Sequence, residues 1–443
     1  MGLAAAKRAT RISVADAAGL VGSGMWVDWG FGMGQPDAFD VALAARAKDL
    51  SNVKIRACLT MKRRAVLEAD PNGDHIFWFN WHFTGYDRKQ HDLGRCNYIP
   101  MNFGEAPDYY RRFIDPVDVA VIKTCPRDSA GNYNLSGAST YERAMIERAK
   151  VVVVEISEAL PYCLGPDNFI PEALVDFVIE GDHAPVPEFA NPPVSDIDRA
   201  IATRIAAEIP NGACLQIGIG GMPNAVCSIL REAGVKDLGV HSEMLVDGMV
   251  ELLDAGLITG AHKQIDTGKI IFTFAAGSRR QYQLIDRNPN ILCRSVDYTN
   301  LPQNVMLNDN VVSINNTTQM DLQGQAASES AGHRHLTGTG GQLQFVRGAY
   351  ASKGGKSFIC LSSTYDKAGK PRSRIVTELT PGNVVTTPRT DTMYVVTEYG
   401  MVNLKGKSVA ERALAMISIA HPDFREGLER DAREKGLIPR GFA

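Results

Sequence analysis

Apolar residues recur at spacings of three and four in "SVADAAGLV" (13–21), "TYERAMIERA" (140–149), "DIDRAIATRIAAEI" (196–209) and "VAERALAMISIA" (409–420). That spacing gathers them on one face and predicts amphipathic helices. Between them lie short, nearly continuous apolar runs: "VKIRACL", "HIFWFNW", "VDVAVIKT", "KVVVVEI", "KIIFTFAAG", "VVSIN", "KSFICL" and "MYVVTEYG". Continuous rather than alternating apolar strands, interleaved with helices, predict α/β architecture with mainly parallel sheets covered on both faces. The prolines of "EGDHAPVPEFANPPVSD" (180–196) suppress both helix and sheet, which places a boundary near 190 and two domains at 1–190 and 191–443.

The pattern repeats. "GNYNLSGASTYERA" (131–144) and "GMVNLKGKSVAERA" (400–413) agree at eight of fourteen positions. "GSGMWVDWGFGMGQPDA" (22–38) and "PNGACLQIGIGGMPNA" (210–225) share Gly, five residues, Gly-x-Gly, then Pro-Asp/Asn-Ala. Each glycine motif follows a helical segment and an apolar strand and precedes another helix, so one α/β unit is used twice. In the first repeat Ser139 and Ser408 stand three residues before Glu142 and Glu411, the spacing of a capping box. The copies are unequal: Gly32 to Gly131 spans 99 residues and Gly220 to Gly400 spans 180, so the second half carries added sequence and is the candidate for chemistry.

Composition narrows the function classes. A chain of 443 residues, 44% hydrophobic and 22% charged, has material for two cores. A net charge of −3 without runs of like charge argues against a nucleic-acid surface or a polybasic membrane anchor. No apolar run approaches the roughly 20 residues of a membrane span. "MGLAAAKRATRIS" lacks the apolar core of a secretory signal, which favours the cytoplasm. Eight scattered cysteines form no C-x-x-C pair and read as buried thiols. His333 and His335 in "GHRH" sit in a loop-like stretch without further ligands at zinc spacing, so no metal site is expected.

Three stretches of the second half carry chemistry. "QIGIGGMPNA" sets glycines between a strand and a helix, where backbone N–H groups can approach an oxyanion or phosphate; its spacing is neither a Walker loop nor G-x-G-x-x-G. "GTGGQ" (338–342) is a second flexible backbone loop. "HSEM" places Glu243 at the end of a probable strand, the edge on which α/β sheets present their ligands. A carboxylate nucleophile flanked by two N–H sources suits acyl transfer between carboxylic acids, which needs neither metal nor redox cofactor.

"GIGGMPNAV", "VHSEMLVDG", "SINNTTQMDLQGQ", "GTGGQLQFVRGA" and "VVTEYGMVNLKGKSVAERALAMISIAHPDFR" resemble, in order and spacing, the acetyl-CoA hydrolase/transferase family. The likeness points to its butyryl-CoA:acetate and 4-hydroxybutyrate CoA-transferase branch, and "NYIPMNFGEAPDYY" extends it into the first half. It implies a family I CoA-transferase of two similar open α/β/α domains with the active site in the cleft between them. Glu243 then resembles the glutamate that forms a glutamyl-CoA thioester. Gly218, Ile219, Gly220, Gly221 and Met222 resemble the loop holding CoA and the thioester oxygen, and Gly340 or Gly341 the donor facing the glutamyl carbonyl. Asn315 and Lys367 match CoA contacts, with Asn316, Lys356 and Lys370 nearby as alternatives.

The resemblance implies ping-pong exchange on butyrate, 4-hydroxybutyrate or acetate, with CoA as co-substrate rather than tightly bound cofactor. Acyl-CoA and small carboxylic acids are the expected partners, with no nucleic acid and no membrane, in a homo-oligomer. Gln344 and Asn224 replace the family's usual aspartates, which keeps a dicarboxylate such as itaconate or succinate among the candidate acids. The rival readings are an acyl-CoA hydrolase on the same scaffold, a sugar-phosphate isomerase, and a CoA-binding regulator. The four tryptophans, 26, 29, 78 and 81, read as core or as an acyl-pocket wall.

Overall fold

The structure, a computed structural model, describes residues 8–189, 193–218 and 220–442. The chain divides into two compact units, Met1–Phe189 with Ile271–Thr299, and Ala190–Ile270 with Asn300–Ala443. The sequence reads 191–443 as one continuous domain; the structure instead returns Ile271–Thr299 to the first unit. Backbone bonds fix it there: Ser139 N donates to Thr273 O (3.0 Å), Ala275 N to Gly137 O (2.9 Å) and Cys293 N to Leu164 O (2.8 Å). These partners lie more than a hundred residues apart, beyond the reach of any local pattern.

The first unit is built on eight strands: β1 Thr10–Arg11, β2 Trp26–Phe31, β3 Val53–Cys58, β4 Ile76–Asn80, β5 Cys96–Tyr98, β6 Val117–Thr124, β7 Ala149–Ile156 and β8 Phe177–Glu180. They run in the order β1-β8-β7-β6-β2-β3-β4-β5. Every neighbouring pair is parallel, as the continuous apolar runs predict. Val27, Ile55, Val119, Val121 and Val153 bury one core with Trp29 and Trp78, whose rings meet edge-on at 5.3 Å. Those two tryptophans are therefore packing residues.

After β2, helix α1 (Ala38–Ala45) begins against a carboxylate supplied from β7: Glu155 accepts the N–H groups of Asp37 (2.9 Å), Ala38 (3.2 Å) and Phe39 (2.9 Å). Asp37 in turn pairs with Lys62 (2.7 Å), Lys123 (2.7 Å) and Arg64 (3.0 Å). Three cations outweigh the cost of burial and hold the Asp37 carboxyl down at about 2.

In the second unit, six strands run in the order β10-β9-β11-β12-β13-β14. They are β9 Cys214–Ile217, β10 Gly239–His241, β11 Val311–Asn316, β12 Lys356–Cys360, β13 Tyr394–Thr397 and β14 Gly400–Asn403. All pair parallel except β13 with β14.

The repeated motif folds differently in its two copies. In the second, β14 joins the main sheet, and Ser408 caps the helix Val409–Ser418: Glu411 N donates to Ser408 Oγ (3.3 Å) and Ser408 N to Glu411 Oε2 (2.7 Å). In the first, Asn132–Asn134 pairs with Phe169–Pro171 in a separate two-stranded ribbon, and helix α2 (Glu142–Glu147) has no side-chain cap. The expected Ser139 cap is absent because the Ser139 backbone is held by Thr273 on both sides, including Thr273 Oγ1 to Ser139 O at 2.7 Å. Glu142 is buried instead and accepts from Phe31 N (2.9 Å) and Thr140 N (2.7 Å).

Among the described residues no helix is long and apolar enough to cross a membrane, and no three His, Cys, Asp or Glu side chains come together as metal ligands.

Candidate active site

Every site residue read from the sequence falls in the second unit. Strand β10 ends at His241, and the chain turns through Ser242 and Glu243 before a short strand at Met244–Leu245. Ser242 Oγ donates to Met244 O (2.8 Å), closing the turn that projects Glu243. Two donors meet its carboxylate. Asn300 Nδ2 lies 2.6 Å from Oε2, and the backbone N–H of Gly341 bonds to the same side chain.

Gly341 is the residue before helix α3 (Gln342–Ala351). A side chain there would overlap the Glu243 carboxylate and the Asn300 amide, so the donor must be a glycine. Gly340, at φ +58°, supplies the left-handed step that turns the chain into the helix. Among the described residues no cation offsets the Glu243 charge. Although the residue keeps partial exposure, its carboxyl is enclosed by protein, and that desolvation outweighs both donors and pushes its pKa up to about 7.

The glycine loop leads from β9 into the helix Gly221–Ala233. Gly218 N donates to Ile314 O of β11 (3.3 Å), tying the loop to the sheet. Gly220 has φ +130°, which favours glycine strongly, and no side chain caps the helix it begins. A Cβ on Gly221 would stand 2.8 Å from Asp198 Oδ2, whose carboxylate also caps the preceding helix Asp196–Ala206. Met222 is buried, and Ile219 lies outside the described residues.

Two further candidates separate on geometry. Asn315 directs its amide to the strand neighbours Gln216 Oε1 (3.1 Å) and Ser313 Oγ (2.9 Å). Successive residues of β11 face opposite ways. Asn316 accordingly stands beside the loop, its Nδ2 3.6 Å from where a Gly220 Cβ would be. Lys367 is exposed on a hairpin, Thr364–Lys367 against Lys370–Ser373, directly opposite Lys370. Lys356 is occupied by Glu208 at 2.6 Å.

Asn300 is the residue that sequence reasoning missed. "DYTNLP" carries no spacing signal, and the amide reaches Glu243 only through the fold. A cavity of about 1250 Å³ lies in the first unit, lined by Arg279, Arg287, Asp128, Glu158, Glu188 and Asp286 among others. None of the residues just described lines it. Its carboxylates outnumber its guanidinium groups, so its size alone does not mark it as the seat of the chemistry.

Two family models match the chain: the acetyl-CoA hydrolase/transferase N-terminal domain over residues 7–189, and the C-terminal domain of the same family over residues 277–432. The chain belongs to the acetyl-CoA hydrolase/transferase family. The models bracket 190–276, the stretch that holds Glu243 and the glycine loop, but full-length relatives run through it. The chain is 45% identical to the butyryl-CoA:acetate CoA-transferase of Anaerostipes caccae, over 96% of this chain and 95% of that protein. It is 42% identical to the 4-hydroxybutyrate coenzyme A transferase of Clostridium kluyveri, over 79% and 80%. Among solved structures, RipA from Yersinia pestis superposes with a TM-score of 0.87 at 35% identity, covering 97% of this chain and 98% of that one. The family resemblance read from the five motifs is thus shown, and with it the mainly parallel α/β fold.

Proposed function

We propose that the protein transfers CoA from a short-chain acyl-CoA to a free carboxylic acid by a ping-pong mechanism, with Glu243 as nucleophile. The observation that carries this reading is a cation-free, desolvated carboxylate met by two fixed N–H donors, Asn300 Nδ2 and Gly341 N. Stripped of water, that carboxylate is a better nucleophile than a solvated one. Its pKa near 7 leaves much of it ionised at neutral pH.

Glu243 attacks the acyl-CoA carbonyl and expels CoA thiolate, leaving an acyl-glutamyl anhydride. The thiolate returns to the glutamyl carbonyl and releases the first acid, which gives glutamyl-CoA. A second acid runs the sequence backwards, so no water is consumed and no proton need be gained or lost. When thiolate attacks the glutamyl carbonyl, charge develops on an oxygen that the Asn300 and Gly341 donors already face. Such a donor contributes about 3 kcal/mol to lowering the barrier. The loop Gly218–Met222, with Asn316 beside it, is assigned to CoA and the thioester oxygen, and Lys367 or Lys370 to its phosphates. In this reading CoA comes and goes as a co-substrate, and the enzyme works in the cytoplasm as a homo-oligomer.

Butyrate, acetate and 4-hydroxybutyrate are the first acids to try, because relatives at 42–45% identity carry those names. The test is intact mass after adding butyryl-CoA or acetyl-CoA without acceptor, then borohydride reduction and peptide mapping. A CoA adduct that marks residue 243 for reduction supports the reading. Steady CoA release without any acid would convert it to a hydrolase, and no adduct with any short acyl-CoA or dicarboxylyl-CoA would remove the transferase assignment.

A further inference from the structure

Among the described residues of the second unit, two buried carboxylates lie outside the mechanism; Asp321 accepts from Gln323 N and Gln325 N within its own turn, which leaves Glu329 without a task. Glu329 is only 4% exposed, and no cation lowers its pKa. Burial pushes its carboxyl up from the ordinary value, opposed only by a bond from Thr339. That bond is short, with Thr339 Oγ1 donating to Oε2 at 2.6 Å. The Glu329 carbonyl also accepts from Leu336 N (2.8 Å) and Thr337 N (3.4 Å). One residue therefore fastens the returning limb of the loop 330–341 at three points.

The place of the fastening gives it meaning. Only Gly340 separates Thr339 from Gly341, whose N–H meets Glu243. Consecutive glycines are the freest backbone a chain can have, and a donor that must face a developing oxyanion tolerates little drift. Unpaired buried carboxylates are strongly disfavoured, so simple packing does not account for this one. The Thr339 hydroxyl donates to Glu329 Oε2 at 2.6 Å, and that short bond, with the two backbone bonds to the Glu329 carbonyl, ties the turn to a buried anchor.

We propose that Glu329 is a positioning residue, which through Thr339 holds the Gly340–Gly341 turn so that the Gly341 N–H stays on Glu243. This rests on the assignment of Glu243 as nucleophile.

The test compares Thr339→Val, Thr339→Ser, Glu329→Gln and Glu329→Ala in the full-length enzyme. Thr339→Val, nearly isosteric, should lower kcat about tenfold, the effect of one lost hydrogen bond, while KM for acyl-CoA changes far less. The acid limb of its pH profile should also move upward, because a strayed Gly341 N–H no longer favours the charged form of Glu243. Thr339→Ser should restore both, and Glu329→Gln should fall nearer wild type than Glu329→Ala, since its amide oxygen still accepts. A folded Thr339→Val enzyme with unchanged kcat and acid limb would overturn the inference, provided borohydride marks Glu243 in the wild type. An unmarked Glu243 in the wild type would overturn the functional reading and this inference together.

Discussion

The two units begin comparable helices after comparable glycine turns, and they finish them in opposite ways. In the first, Glu155 reaches across from β7 and satisfies three N–H groups at the start of α1, backed by Asp37 with its lysines and arginine. In the second, the helix Gly221–Ala233 starts from a bare glycine without a side-chain cap. A helix start attracts negative charge through unpaired N–H groups and the macrodipole. One copy has met that attraction with its own carboxylate; in our reading the other leaves it for a ligand. The repeated glutamates diverge in the same sense, Glu142 drawn into the core and Glu411 left on the surface as a cap.

This contrast breaks or sharpens most visibly at Glu243. Glu243→Ala should reduce CoA exchange by on the order of 10⁴-fold or more while the circular dichroism spectrum stays native, as for loss of a covalent nucleophile. Residual exchange near wild type would return the second unit to the same structural status as the first. The matching change in the first unit, Glu155→Ala, should act on stability and strand three N–H groups at a cost of about 3 kcal/mol. Formate or acetate diffusing into the vacated space should recover part of the melting temperature. Absence of any rescue, with a loss below about 1 kcal/mol, would show that Glu155 is not the filler proposed.

The raised pKa of Glu243 provides a test by pH. The folded state holds that proton up to about 7 and the unfolded chain releases it near 4.5, so this group's contribution to stability declines as pH climbs between those values. Glu243→Gln, which cannot ionise, should then be more stable than wild type at pH 8, by about 3 kcal/mol, with the gap closing below pH 4.5. Exchange by the wild type should rise over the same window, since only the ionised form attacks. Smallest of all, Ser408→Ala should cost about 1 kcal/mol of stability as a lost helix cap. Ser139→Ala should show no capping loss, because no helix depends on its hydroxyl. Equal capping losses in the two variants would restore the symmetry that the structure denies.

Much of the frame was legible along the chain because it is local. Continuous valine runs such as "KVVVVEI" can only be comfortable inside a sheet covered on both faces, and Ser408 with Glu411 three residues on is a self-contained cap. The position of Glu243 after a strand was readable because a strand end is a recognisable address. Asn300 was not, since what matters about it is a contact across 57 positions. Ser139 misled for the complementary reason: its capping pattern is intact in the sequence, but tertiary bonds to Thr273 have already claimed its backbone. The excursion Ile271–Thr299 was equally invisible, because the bonds that tie it to the first unit, such as Ser139 N to Thr273 O, join residues more than a hundred positions apart.

The eight cysteines raise a question of chemical privacy. An enzyme that passes activated acyl groups past a free thiolate must keep its own sulfur out of the exchange, for a stray acyl-cysteine would end turnover. All eight are free and buried. Burial lifts the thiols of Cys125 and Cys227 to about 12 and that of Cys214 to about 11, and raises Cys96, Cys163, Cys293 and Cys360 as well. Thiols so reluctant to ionise are poor nucleophiles at neutral pH. The protein thus keeps its own sulfur out of reach, and in the proposed mechanism the one thiolate able to capture the anhydride is the one the substrate brings.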